Sequence, residues 1–247
     1  MTGRTARYQS ARRDPAVVVL EGFHALKHAL RFGAEVLEAV TPDPAEIAAL
    51  AGSLAPDLLP ALRALLTEAS SDEFAGLAPA APPTPVLALA RRPEVDPAAV
   101  LAAPGPAPVI LLDRPNHLGN LGAVVRVAAA AGAAGVLVTG ERDPWHPAAV
   151  RGSAGLHFAL PVARLTGPLP AGRALVAIDP GGDPLWETNL PARAVLAFGG
   201  ERRGLGAELL KAAARRIAIP MEPGVSSLNL ATAAAVVLFE VARRRQG

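Results

Sequence analysis

The sequence predicts an α/β protein whose C-terminal half holds a largely parallel sheet with helices on both faces. Three observations predict it. Beyond residue 104 short apolar runs alternate with helical patterns. The last of these runs break abruptly into loops rich in Gly and Pro, the arrangement by which open parallel sheets form a ligand crevice at their strand ends. Apolar residues make up 51% of the 247-residue chain, enough to bury a sizeable core.

Residues 1–15 are polar and basic and read as a mobile segment. Val17–Leu20 follows as a strand, Glu21-Gly22 as a turn and Phe23–Arg31 as a helix closed by Gly33. Val36–Val40 is a second strand. Ala45–Ala51 and Leu58–Glu68 have helical spacing, and Val86–Ala90 is a late strand. These elements make a small mixed α/β unit. Residues 91–108 are rich in Pro and Ala and read as a linker, which gives an N-terminal domain with linker over 1–103 and a second domain over 104–247.

In that second domain Val109–Leu112 is a strand, Leu121–Ala131 a helix stopped by Gly132, and Gly135–Val138 and Phe158–Val162 are further strands. Ala174–Ile178 and Ala194–Phe198 complete the alternation. After Phe198 comes a glycine loop, Gly199 to Gly206, then a helix over Ala207–Arg215 and a strand over Ile217–Ile219. A second loop ends at Ser226-Ser227, an N-cap signal for the apolar helix Leu230–Val241. That helix is shorter than the ~20 residues of a membrane span.

The two loops and one upstream segment carry a specific resemblance. GGERRGLG at 199–206, IPM at 219–221 and SSLN at 226–229 follow DRPNHLGNLGAVVR at 113–126. Together they resemble, in order and spacing, the three motifs of the SpoU/TrmH family of RNA ribose 2′-O-methyltransferases, within the SPOUT class. The resemblance covers about residues 108–245. The segment VVLEGFHALKHAL also resembles the ribosomal-protein-like substrate-binding domain that precedes many such catalytic domains. The SpoU/TrmH resemblance implies a deep trefoil knot in the C-terminal domain, against the general rule that chains are unknotted. It also implies S-adenosyl-L-methionine (AdoMet) as methyl donor, structured rRNA or tRNA as substrate, and a homodimer.

By the same resemblance Gly199, Ile219 and Leu228 match main-chain contacts to the donor, with Gly200, Met221 and Asn229 nearby; packing alone would also account for Met221. Arg126 matches the family's essential arginine, against the alternative of an exposed helix arginine. A guanidinium titrating above ~12 is a poor general base, so its expected part is to stabilise the developing alkoxide and grip a phosphate. Asn120 would orient the ribose or the loop, or cap a helix at Leu121. Glu201 would hold Arg126 or the substrate, or be a surface charge beside Arg202 and Arg203. Ser227 and Asn229 match the third motif, although either Ser226 or Ser227 could serve only as a cap. Arg151 is an RNA-contact candidate. The chain departs from the family pattern at Gly200, Arg202 and Ala231, where Asn or Ser, Gly, and Ser are frequent.

Other classes are disfavoured. There is no Cys, which excludes disulfides and thiolate metal sites, and His24 and His28 lack a third ligand, so no metal is expected. Gly204-Leu-Gly206 lacks the third glycine of a dinucleotide fingerprint. The start carries no signal-peptide pattern, so a cytoplasmic, non-membrane protein is expected. A net charge of +2 is no nucleic-acid signature in itself. Residues 1–31, however, hold six basic residues against two acids, and Arg243-Arg244-Arg245 ends the last helix. These ends fit either phosphate contacts or solvated tails. The alternative to an enzyme is a non-catalytic RNA-binding or ribosome-assembly protein that kept the fold; a role in antibiotic resistance would share the reaction.

Overall fold

The structure is a computed structural model and describes residues 3–246. Its contacts group the chain into two compact units. One runs to Glu94 and includes Trp145–Ala159; the other comprises Val95–Pro144 and the chain from Leu160 onward.

The first unit opens with helix α1 (Gly3–Ala11), which occupies most of the segment expected to be mobile; residues 1 and 2 lie outside the described residues. Its apolar contribution is only Tyr8 and Ala11, both buried, so no amphipathic stripe announces it. Ion pairs made across the fold hold it: Arg4 to Glu38 and Glu73, and Arg7 to Glu38. Strand β1 (Val17–Glu21), helix α2 (Phe23–Arg31), strand β2 (Val36–Thr41) and helix α3 (Pro44–Leu54) then follow as expected. Asp43 caps α3, accepting from the amides of Ala45 and Glu46. Beyond it the expected helix to Glu68 is divided. Helix α4 (Leu59–Leu65) ends where strand β3 (Leu66–Glu68) begins, because β3 pairs in parallel with Ala39–Thr41. Helix α5 (Ser71–Ala75) and strand β4 (Leu87–Arg91) close the sheet, whose order β1-β4-β2-β3 sets β4 antiparallel to both neighbours.

The second unit begins inside the segment expected to be a linker. Helix α6 (Pro97–Ala102) is capped by Asp96 and puts Val100 and Leu101 into the core of the larger sheet. A Pro-Ala composition describes such a short capped helix as well as it describes a linker. Strand β5 (Val109–Asp113), helix α7 (Leu118–Ala130) and strand β6 (Gly135–Val138) come next. Helix α8 (Pro147–Gly152) belongs to the first unit, where Arg151 and Arg12 both pair with the buried Glu21. The candidate RNA contact Arg151 is therefore engaged in an ion pair.

No strand covers Phe158–Val162. Leu156–Phe158 is a single 3-10 turn, with Phe158 and His157 against Trp145, and strand β7 is Val162–Arg164. Strands β8 (Leu175–Pro184) and β9 (Val195–Gly199), helix α9 (Ala207–Ala212), strand β10 (Arg215–Ala218) and helix α10 (Leu230–Gln246) complete the unit. The sheet order is β10-β8-β9-β5-β6-β7, with every pairing parallel. All five residues of β5 and all four of β6 are buried, which is why these strands read as unbroken apolar runs rather than as alternation.

Arg244 and Arg245 are clamps rather than solvated tails, whereas Arg243 is exposed and, among the described residues, pairs only with Glu240 of its own helix. Arg244 pairs with Glu240 and donates to the carbonyls of Leu185 and Thr188, and Arg245 donates to the carbonyl of Ala131 at the end of α7. Among the described residues no helix is long and apolar enough to cross a membrane.

Candidate functional site

The loops that follow β5, β9 and β10, together with Ile178–Pro180 inside β8, line a cleft of about 590 Å³. This is where an open parallel sheet presents ligands. The cleft is lined by Asn120, Gly199, Gly200, Glu201, Ile219, Met221, Ser227, Leu228 and Asn229, which are nine of the ten residues singled out from the motifs. The tenth, Arg126, is absent from the lining. It is exposed on α7 and makes no hydrogen bond or ion pair among the described residues. Six residues after Asn120, it emerges roughly 240° further round a helix of 3.6 residues per turn.

The two N-terminal helix ends and the glycine loop are tied by one hydrogen-bond chain. The Asn116 main-chain N–H donates to Glu201 Oε2 at 2.9 Å, and Asn120 Nδ2 donates to Glu201 Oε1 at 2.8 Å. Asn229 Nδ2 in turn donates to Asn120 Oδ1 at 3.2 Å. Glu201 therefore sits at the N-terminus of α7, where a carboxylate is favoured by the helix dipole. Burial alone would raise its pKa. The bonds from Asn120 and from main-chain amides outweigh burial and hold it below the usual carboxylate value. Glu201 holds Asn120, not Arg126. Asn120 lies inside α7, which starts at Leu118, so it is not a cap.

The capping expectation for the last helix also changes. Asn229, not Ser226 or Ser227, caps α10, its Oδ1 accepting from the amides of Ala231 at 2.9 Å and Thr232 at 3.4 Å. Ser227 is left exposed on the cleft wall.

Asp113 was legible as a strand-end acid, but its work was not. Only 5% exposed, it accepts from Thr139 Oγ1 at 2.7 Å, from the Gly206 amide at 2.8 Å and from Nε and Nη2 of Arg114. It thus fastens the end of the glycine loop to β5. Burial pushes its pKa up, and the bonds from Arg114, Thr139 and Gly206 more than reverse this, so the folded value lies below its ordinary 3.8. A depressed carboxylate contributes stability that is present above the unfolded pKa and lost as pH falls through the folded one. Asp113→Asn is therefore expected to melt well below the parent at pH 7, with the gap narrowing below about pH 4. Parallel thermal melts check this, and a gap independent of pH would contradict it.

The glycines serve the loop's own packing. A Cβ on Gly199 would stand 2.1 Å from the Gly204 carbonyl carbon, and one on Gly200 would stand 2.5 Å from the Arg114 oxygen. Backbone packs directly on backbone here.

Sequence reasoning missed the wall made by Ile178, Asp179 and Pro180. β8 bulges between Ala177 and Asp183, and Asp179 pairs with Arg216 of β10 at 2.6 Å. The Pro-Gly-Gly at 180–182 was the available signal for that interruption. Among the described residues no group of three or more His, Cys, Asp or Glu is placed to hold a metal ion.

Comparison with known proteins fits this geometry. The model of the SpoU rRNA Methylase family matches residues 107–239. A 23S rRNA (uridine(2479)-2′-O)-methyltransferase from Streptomyces viridochromogenes is 35% identical over 150 residues, 55% of this chain and 52% of its own length. A tRNA/rRNA methyltransferase of uncharacterized role from Synechocystis is 38% identical over 146 residues, 56% of this chain and 53% of its own. The chain spans about half the length of the curated relatives it matches. Among solved structures, the SpoU methyltransferase AviRb from Streptomyces viridochromogenes in complex with AdoMet aligns at a TM-score of 0.82 and 26% identity, over 100% of this chain and 99% of that one. An AdoMet-bound rRNA methyltransferase from Sinorhizobium meliloti aligns at 0.75 and 27%, over 98% and 93%.

Proposed function

The chain belongs to the SpoU rRNA Methylase family, and from that premise we propose that it transfers a methyl group from AdoMet to a ribose 2′-hydroxyl in rRNA or tRNA. The observation that carries the proposal is the convergence of three sequence-distant motifs on one cleft.

The lining suits the donor. A volume of about 590 Å³ lies within the ordinary range for small-molecule sites. Ile178, Phe198, Leu205, Ile219 and Leu228 offer apolar surface for a purine, and the lining also carries polar side chains. Gly199, Ile219 and Leu228 would hold the donor by main chain, with Gly200, Met221 and Asn229 beside them. When bound, the donor supplies an electrophilic methyl; the protein supplies position and charge. Glu201 fixes Asn120 in the cleft lining, where it would orient the ribose, and Ser227 adds a hydroxyl to the same lining.

Arg126 would stabilise the developing alkoxide. Exposed, unpaired and turned away from its own cleft, it is suited to reach the cleft of a second copy, so we take the unit of function to be a homodimer. The exposure of a large apolar side chain on α10 agrees: Phe239 is 53% exposed. We further assign the C-terminal unit the trefoil knot of its family, the chain up to residue 103 a ribosomal-protein-like RNA-binding role, and the protein a cytoplasmic location.

Isothermal titration with AdoMet and mapping of 2′-O-methyl sites in total tRNA and rRNA, with and without the protein, test the proposal. Micromolar binding and one or a few new methylated riboses are expected. No binding at millimolar donor would favour a non-catalytic RNA-binding protein.

A further inference from the structure

Beside the cleft lies a second cavity of about 310 Å³, bordered by Asp113, Arg114, Arg202 and Arg203. It shares Gly200, Arg202 and Gly204 with the cleft, so the two adjoin at the glycine loop. We propose that this cavity is a phosphodiester-binding subsite, in which Arg202 and Arg203, beside Arg114, grip the RNA backbone next to the ribose being modified. The proposal rests on the reading of the cleft as a ribose methylation site and adds to it where the strand runs.

The charge distribution carries the argument. The acids near the cavity are already spent: Asp113 is bound by Arg114, Thr139 and Gly206, and Glu201 is turned to the start of α7. Arg202 and Arg203 are exposed and make no hydrogen bond or ion pair among the described residues. Arg4, Arg12, Arg216 and Arg244, by contrast, each pair with an acid. Two consecutive cations left without a counter-charge repel one another, at a cost an external anion would relieve.

The loop holds them there. The Gly204 amide donates to the Gly200 carbonyl at 3.0 Å, and Gly204 takes a φ of +60°, closing a tight turn with both arginines at its tip. Arg114, which also borders the cavity, spends Nε and Nη2 on Asp113. Guanidinium forks match phosphate oxygens in pairs. A ribose in the cleft brings its flanking phosphates within reach of the adjoining cavity, because the two share Gly200, Arg202 and Gly204.

The test is filter binding of purified, deproteinised rRNA to Arg203→Ala, to the Arg202→Ala/Arg203→Ala double variant and to Arg203→Lys, over a range of salt. Each lost phosphate contact is expected to lower the slope of log affinity against log salt by about one. Arg203→Ala should therefore lose about one unit of slope and the double variant about two. Arg203→Lys should keep the parent slope, because the charge remains. Arg203 lies outside the cleft lining, so Arg203→Ala should bind AdoMet as the parent does. A double variant with the parent's affinity and slope would overturn the subsite. RNA binding is read without methyl transfer, so it decides the subsite even if the parent transfers no methyl group, a failure that would count against the cleft reading instead.

Discussion

Arg126→Ala is expected to lower methyl transfer by at least ~10²-fold, the scale for losing one preorganised charge at a reacting oxygen, while leaving folding and AdoMet binding as in the parent. The side chain makes no contact that the fold would miss, being exposed and unpaired on α7 among the described residues. It is also absent from the lining of its own cleft. Loss of donor affinity in this variant would therefore contradict the structure, and full activity would remove Arg126 from the reaction. Co-expressing Arg126→Ala with a copy unable to bind the donor separates action within a subunit from action across a dimer. In a mixed dimer, the cleft of the first copy receives the intact arginine of the second only if the residue acts in trans. Recovered methylation is the expected result; none would assign Arg126 to its own cleft.

What was legible in the sequence follows from which forces are local. The central strands β5, β6 and β9 are buried on both faces, so they appear as runs such as VILLD and GVLV bounded by loops. α2 was bounded at both ends by its own residues. By contrast α1 carries two buried side chains and is fastened by Glu38 and Glu73, which are 34 and 69 residues from Arg4. Nothing near Arg4 in the chain announces those partners. β3 illustrates a second kind of miss: Leu66–Glu68 continues a helical pattern, and only pairing with Ala39–Thr41 turns it into strand.

At the site, residue identity was legible and role was less so. The motifs brought Asn120, Glu201 and Asn229 to notice, but their mutual bonds span 81 and 109 residues and required the fold. Capping shows the limit well. Ser226-Ser227 and Asn229 are both good cap residues, and choosing between them depends on where α10 actually begins, a matter of ±2–4 residues from pattern alone. The Asp179 wall depends on a bulge in β8 and an ion pair to a neighbouring strand, neither of which hydrophobic periodicity encodes.

Gly199→Ala should abolish donor binding, and it should do so through the backbone. The added Cβ would stand 2.1 Å from the Gly204 carbonyl carbon and 2.3 Å from the Leu205 nitrogen, separations that no side-chain rotation relieves. The loop must lift away from the end of β9. Doing so strains the bond from the Gly206 amide to Asp113 and moves Glu201, which fixes Asn120. A single methyl group thus disconnects two motifs from the cleft. Because such a clash can also cost several kcal/mol of stability, the variant is compared with Gly119→Ala. Gly119 is within α7, has nothing within 4 Å of a built Cβ and does not take a positive φ, so alanine there should be neutral or stabilising by up to ~1 kcal/mol. Titration calorimetry on both variants, with circular dichroism to establish that Gly199→Ala is folded at the temperature used, reads the outcome. A folded Gly199→Ala with the parent's affinity for AdoMet would show that the tight turn of backbone on backbone is not what shapes the cleft.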